Sequence, residues 1–222
     1  MHKKIVLLQT SMVSFDTFNQ LFHELIPEAQ VSNLVDEDLL DTLNRNRGIT
    51  PSIIQRICQY VVAAEAAGAA MVFSQCSSTR AGIECARKMV SIPLVMVDDG
   101  MCEKAVSLGS RVGIVATAKA TLEPSTCALR SAARKARREV SVKTYLADGA
   151  LDVLMKERNQ QKHDALVLEL IERAAGENDV VMLAQGSMVT LAPRLGAFQT
   201  PVLTSPRLGV EKARRILLQQ EQ

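Results

Sequence analysis

An internal repeat constrains the fold of this chain most strongly, because the second half reproduces the pattern of the first. In each half an apolar opening run is followed later by a second apolar run that ends in small polar residues, and then by a short segment beginning near a proline. The matching segments, first half before second, are residues 4–10 with 111–117, 70–77 with 179–187, and 92–95 with 200–203. Two copies of about a hundred residues each predict a duplicated small domain and not a solenoid.

Both halves alternate short runs rich in Val, Ile and Leu with longer stretches of helical periodicity. Strands are predicted at 5–8, 29–34, 70–74, 92–97, 112–115, 140–145, 180–183 and 201–203, and helices at 15–25, 53–67, 100–108, 150–158, 165–175 and 210–219. Regular alternation predicts parallel sheets covered by helices on both faces. We therefore expect an α/β fold of two pseudo-symmetric, flavodoxin-like parallel-sheet halves, with the active site in the cleft between them, at the strand ends.

The composition argues against several classes of partner. Aromatic residues make up 3% of the chain, there is no Trp, and the net charge is +2, so a nucleic-acid interface is not indicated. No apolar run is long enough for a membrane span or a signal peptide. The five cysteines are odd in number and lack CxxC spacing, which favours reduced thiols and a cytoplasmic location.

Cys76 is the cysteine whose surroundings indicate chemistry. It lies directly after a predicted strand and before a helix, where backbone N–H groups stabilise a thiolate. Ser77 and Ser78 follow it and offer hydroxyl and N–H groups suited to a carboxylate. The remaining cysteines lie in predicted helices and are expected to be inert, as buried free cysteines commonly are: Cys58, Cys85, Cys102 and Cys127, the last taken to begin a helix after Pro124.

Other patterns that carry chemistry are weak or missing. Asp98 and Asp99 precede a predicted helix, a position typical of a helix cap and not of a metal site. The three histidines have no partner at metal-ligand spacing. No phosphate-binding loop or dinucleotide fingerprint is present. The sequence therefore predicts neither a metal nor a nucleotide cofactor.

The cysteine motif, its second-half counterpart and the opening loops together resemble the aspartate/glutamate/hydantoin racemase superfamily, over nearly the whole chain. Cys76-Ser77-Ser78 is similar to the first cysteine motif of that family, and residues 8–11 and 115–117 are similar to its carboxylate-holding loops. The resemblance implies a cofactor-independent racemase or isomerase that acts through the Cys76 thiol, without metal or pyridoxal phosphate. It implies that the substrate is held by Gln9, Ser11, Ser77, Ser78, Thr117, Gln185, Gly186 and Ser187.

The second half departs from the family pattern in a way that affects the reaction. Members of the family usually carry a second cysteine there, but this chain has Gln185 or Gly186 at that place, depending on the alignment. Met188 stands where glutamate racemases tend to have a histidine, and the first loop lacks an acidic residue. Racemisation by two opposed groups needs a proton acceptor and a donor. A single-cysteine decarboxylase or lyase, and a non-catalytic binding or regulatory protein, therefore remain alternatives.

The resemblance also implies domain limits and partners. The C-terminal helix is expected to pack back on the first half, which would then comprise residues 1–98 and 206–222, with 99–205 as the second half. The implied ligand is a small carboxylate or a hydantoin-like compound, and the implied assembly is a homodimer.

Overall fold

The computed structural model describes residues 3–46 and 48–220. The chain forms two compact units: the first runs up to Val97 and resumes at Gly209, and the second is Asp98–Leu208. The sequence-based limits, after residues 98 and 205, lie one and three residues from these. Within the described ranges, no helix combines the length and apolar character needed to cross a membrane.

The first unit is a four-stranded parallel sheet in the order β2-β1-β3-β4, with helices on both faces. Its elements up to the second unit are β1 (Lys4–Gln9), α1 (Phe15–Leu25), β2 (Gln30–Val35), α2 (Glu37–Arg45), α3 (Pro51–Ala66), β3 (Met71–Ser74), α4 (Arg80–Ala86) and β4 (Leu94–Met96).

The second unit repeats this arrangement as a parallel sheet in the order β6-β5-β7-β8. Its elements are α5 (Asp99–Leu108), β5 (Arg111–Ala116), α6 (Lys119–Lys135), β6 (Ser141–Leu146), α7 (Ala150–Met155), α8 (Gln160–Glu177), β7 (Val180–Leu183), α9 (Ala192–Leu195) and β8 (Val202–Thr204). A last helix, α10 (Ser205–Gln219), begins here and continues into the first unit. The predicted α/β class with two parallel-sheet halves is confirmed.

The central strands are buried on both faces, which explains why they are continuous apolar runs in the sequence. Along β1, Ile5 and Leu7 point to a core that includes Phe18 and Phe22 of α1. The alternate residues of β1, Val6 and Leu8, belong to the opposite core, which contains residues of α3 and α4. Each face of the sheet therefore has its own apolar layer, as the period-two alternation of a strand requires.

Several helices differ from the sequence-based expectation, among them α2 and α6. Helix α2 was not predicted; it is nine residues long, and Asp36 caps it by accepting a hydrogen bond of 3.2 Å from the Leu39 N–H. Arg56 and Tyr60 of α3 each donate to Asp36 at 2.6 Å, and burial together with this bond raises the pKa of Tyr60.

The expectation that Cys127 begins a helix after Pro124 is wrong. Helix α6 begins at Lys119 and contains Pro124 in its interior. Pro124 is the sixth residue of the helix and has no N–H, so it removes one backbone hydrogen bond, and the helix nevertheless continues to Lys135.

Helix α10 completes one face of the first unit. Val210, Ala213 and Leu217 join the core that Ile5 and Leu7 line, so the C-terminal helix packs on the first half as the resemblance implied. Gly209 permits the close approach, because a Cβ atom at this position would lie 2.4 Å from the Val97 carbonyl oxygen.

We expect Gly209→Ala to destabilise the fold by about 1–3 kcal/mol, since the methyl group forces helix and strand apart. The matched control is Gly176→Ala in α8, where a Cβ atom meets nothing within 4 Å; it should be neutral or stabilising by about 0.5–1 kcal/mol. Urea unfolding of both variants measures the difference. Equal midpoints would contradict the close packing of α10.

Candidate functional site

The strand order of the first unit creates a topological switch point at the carboxyl ends of β1 and β3. The chain leaves β1 toward β2 on one side of the sheet, and β3 lies on the other side of β1, so the connections diverge here. Open α/β sheets bind ligands at such a switch point. Leu8 is paired with Ser74, and the Gln75 N–H donates to the Leu8 carbonyl at 3.0 Å. Gln9, the last residue of β1, and the residues that directly follow β3 therefore lie at the same edge of the sheet.

Cys76 lies in extended backbone between β3 and a short 3-10 turn, Ser77–Thr79, that leads into α4. Buried Thr79 fixes the cysteine: its N–H and its hydroxyl both donate to the Cys76 carbonyl, at 3.1 Å and 2.7 Å. The Thr79 hydroxyl is also 2.8 Å from the Ser74 hydroxyl at the end of β3. The half-buried Cys76 side chain is thus held on an anchored turn, although α4 has only seven residues.

The serines of the first unit that are predicted to bind the substrate lie around the same strand ends. Ser77 is half-buried and Ser78 is exposed, both in the turn after Cys76. Ser11 belongs to the loop after β1, where its hydroxyl oxygen accepts a hydrogen bond of 3.1 Å from the Val13 N–H. The first unit therefore gathers a thiol and three serines at one edge of its sheet.

Gln9 is buried completely at the end of β1 and belongs to a chain of side-chain amides. Its Nε2 donates to Asn33 Oδ1 at 2.6 Å, and Asn33 Nδ2 donates to Asn19 Oδ1 at 3.0 Å. Sequence reasoning missed Asn19 and Asn33, because nothing in a linear pattern joins a residue of α1 to one of β2.

The second unit arranges its predicted site residues differently. The Gln185 side-chain oxygen accepts hydrogen bonds from the Thr117 N–H at 2.5 Å, the Thr117 hydroxyl at 3.1 Å and the Ala118 N–H at 3.1 Å. Thr117 and Gln185 are therefore brought together, but their polar groups are hydrogen-bonded to each other. Gly186 and Ser187 begin a 3-10 helix that ends at Leu191, and the Ser187 side chain lies outside the described part of the structure.

Gln75 is a site residue that the sequence analysis missed, although the repeat aligns it with Gln185. In the first unit its amide nitrogen donates to the Ser14 hydroxyl, at the far end of the loop after β1, whereas the Gln185 oxygen accepts from the residues that directly follow β5. The two strand-end glutamines thus have different partners.

The other cysteines divide into two pairs. Cys58 and Cys102 are buried, as expected. The pKa of the Cys58 thiol is raised, mainly because the thiol is buried and also because it is hydrogen-bonded with Cys85. Cys85 and Cys127 are exposed, against the expectation of buried thiols, because each falls on the outer side of its helix. Across residues 3–46 and 48–220, no group of three His, Cys, Asp or Glu side chains could hold a metal ion.

Residues 14–213 match the family described as Asp/Glu/Hydantoin racemase. The chain belongs to this family. Its members include racemases, so the chain is placed among isomerases, with the reaction unspecified. A comparison with curated proteins finds no match.

Solved structures of the Asp/Glu/Hydantoin racemase type share the fold of this chain. A putative Asp/Glu racemase from Yersinia pestis is 13% identical with a TM-score of 0.74, covering 97% of this chain and 99% of its own. An aspartate racemase homologue from Pyrococcus horikoshii OT3 is 15% identical with a TM-score of 0.73, covering 97% and 99%. Allantoin racemase from Klebsiella pneumoniae is 18% identical with a TM-score of 0.72, covering 98% and 89%. At such identities the likeness establishes the fold.

We expect Gln185→Ala to destabilise this family member by about 1–3 kcal/mol, because two loop N–H groups and a hydroxyl lose their shared acceptor. The control is Gln55→Ala on the exposed side of α3, which should change stability by less than about 0.5 kcal/mol. Thermal and urea unfolding measure both. Equal stability of the two variants would show that the Gln185 bonds contribute nothing.

Proposed function

We propose that this chain is a carbon-acid enzyme that acts on a small carboxylate or hydantoin-like compound through the Cys76 thiol. The observation that carries the proposal is the position of Cys76: it stands at the switch point of the first sheet, on a turn that Thr79 fixes with two hydrogen bonds. Family membership supports the reaction class, and the names of the structural relatives, racemases of aspartate and allantoin, support a small polar substrate.

The proposed step is a proton transfer at the carbon next to a carboxylate or ring carbonyl. The Cys76 thiolate takes the proton, the bonding electrons move onto the carbonyl oxygen, and an enolate or enediolate remains. Return of a proton from the thiol to the same carbon restores the carbon acid. Ser11, Ser77 and Ser78 lie around the same strand ends and can donate hydrogen bonds to the developing negative charge. Neither a metal nor pyridoxal phosphate is implied by the family resemblance.

The second unit favours chemistry on one face of the substrate carbon. The place of the family's second cysteine is taken by Gln185 or by Gly186, depending on the alignment. Gln185 is neutral and its oxygen already accepts three hydrogen bonds, and Gly186 has no side chain. Met188, at the place of the glutamate racemase histidine, is fully buried and cannot carry a proton. These residues support a second candidate reaction, in which the carboxylate leaves as CO₂ and the Cys76 thiol protonates the resulting enediolate.

The test is hydrogen–deuterium exchange at the acidic carbon in D₂O, followed by NMR for a panel of small carboxylates and hydantoins. Cys76→Ala should slow exchange at least 100-fold, the lower end of what general acid–base groups contribute. Cys127→Ala, which removes an exposed thiol of the second unit, should exchange at the wild-type rate.

Exchange that is absent across the panel, or equal in Cys76→Ala and wild type, would contradict the proposal and favour a binding protein. The configuration of the deuterated product separates the reactions. Retention supports one-face chemistry, and loss of optical activity identifies a racemase with a second proton carrier. Release of CO₂ from a malonate-type substrate, dependent on Cys76, identifies the decarboxylase.

A further inference from the structure

We infer that Gln9 and Gln75, at the strand ends that carry Cys76, form a pair of hydrogen-bond acceptors that recognises an uncharged N–H donor of the ligand: a carboxamide, urea or imide group. This inference rests on the proposed function and narrows its substrate class. It would exclude free amino acids, which carry a charged ammonium group, as the preferred ligands.

The orientation of the Gln9 amide is set by a relay that begins at a backbone carbonyl. The Phe15 carbonyl can only accept, so Asn19 must turn its Nδ2 toward it, at 2.8 Å. Asn19 Oδ1 then accepts from Asn33 Nδ2 at 3.0 Å, and Asn33 Oδ1 accepts from Gln9 Nε2 at 2.6 Å. Reversing any one amide would set two donors or two acceptors against each other. The relay therefore fixes the Gln9 oxygen as its free end.

The Gln9 oxygen at the end of this relay is a hydrogen-bond acceptor that no donor reaches within the described residues. Gln9 Oε1 is buried and has no hydrogen-bond partner within the described residues, and the side chain of Gln9 is 0% exposed. Gln75 Oε1 is likewise buried without a partner in that part of the chain, while its Nε2 donates to Ser14. Buried polar atoms are normally paired, so two unpaired carbonyl oxygens near one strand edge indicate that a donor is to be supplied.

Strand register places the two glutamines together. Leu8 pairs with Ser74, so Gln9 and Gln75 are the next residues on adjacent parallel strands. Alternation along the strands puts both side chains on the face of Leu7 and Phe73, the face that α1 covers. Gln75 also directly precedes Cys76 in the chain, so the pair lies at the same strand ends as the residue that carries the thiol.

The loop between β1 and α1 is the element that must move to admit the ligand. Ser14, at the end of this loop, bonds to Gln75, so the loop reaches over the glutamine pair. Its tip is not held by apolar burial, because Val13 is 95% exposed and Met12 is 48% exposed. Displacing one Ser14 hydrogen bond and two exposed side chains costs little packing.

The charges near the pair favour a neutral donor over an ammonium group. Asp36, after β2, is already engaged by Arg56 at 2.6 Å and by Tyr60 at 2.6 Å. Asp16, in the first turn of α1, is exposed to solvent. A buried ammonium ion beside two neutral amides lacks a counter-charge, whereas an uncharged N–H needs only the carbonyl oxygen.

The experiment compares the binding of three probes: hydantoin, its N,N-dimethyl analogue, which has no N–H group, and glycine, the amino acid with the same reacting carbon. Dissociation constants are measured by NMR titration on wild type and on Gln9→Met and Gln75→Met, which keep length and remove the acceptor. Gln55→Met, on the exposed side of α3, is the control. We expect hydantoin to bind wild type and Gln55→Met at least tenfold more tightly than either other probe, and this preference to shrink to below threefold in the two site variants.

Equal binding of hydantoin and its dimethyl analogue by wild type would overturn the inference, and so would tighter binding of glycine. These two comparisons use only the wild-type protein, so they stand even where a glutamine variant fails to fold. An unchanged preference in both folded variants would also overturn it.

The outcome is separable from that of the proposed function. If proton exchange depends on Cys76 but the wild type does not prefer hydantoin over its dimethyl analogue, the enzyme proposal stands and the inference about the acceptor pair is overturned. If binding prefers the probe with N–H groups and this preference depends on Gln9 and Gln75, but no proton exchange occurs, the inference about the acceptor pair stands and the enzyme proposal is overturned.

Discussion

Everything at the candidate site depends on the parallel pairing of β1 with β3. Both strands are buried on both faces, so their carboxyl ends must emerge at the same edge, and the pairing of Leu8 with Ser74 decides which residues meet there. A slip of one residue would turn Gln9 to the opposite face and remove it from Gln75. The same apolar alternation that fills the two cores therefore decides which polar side chains meet at the strand ends.

The duplicated units use one strand-end glutamine in two ways. In the second unit the Gln185 oxygen takes the donors of the neighbouring loop, which leaves that edge internally satisfied. In the first unit the Gln75 nitrogen turns to Ser14 and its oxygen stays unpaired. Strand ends whose buried polar atoms are all hydrogen-bonded need no ligand, whereas a buried acceptor without a partner can bind a donor that a ligand supplies. The two units have therefore diverged at the same strand-end position, one with a satisfied amide oxygen and the other with an unpaired one.

The sequence predicts the fold well where burial dominates and poorly where tertiary contacts decide. Helix α1 and strand β7 have the predicted bounds, because an amphipathic stripe and a fully apolar run are local signals. Helix α2 is short and depends on Asp36, Arg56 and Tyr60 meeting in space, which no local pattern reveals. For the site, the strand-to-helix position of Cys76 was readable from the sequence. The Thr79 clamp and the amide relay were not, since they join residues through side chains.

The position of α10 at the end of the chain affects the order in which the two units can fold. The second unit is continuous in the chain, whereas the first unit is interrupted and recovers Val210, Ala213 and Leu217 only after the second has been made. On the ribosome the second unit can close its core while one face of the first sheet, with Ile5 and Leu7, still awaits its cover. The half that is synthesised first is therefore the half that finishes folding last, and until α10 docks, the nascent chain presents an apolar surface of the kind that chaperones bind.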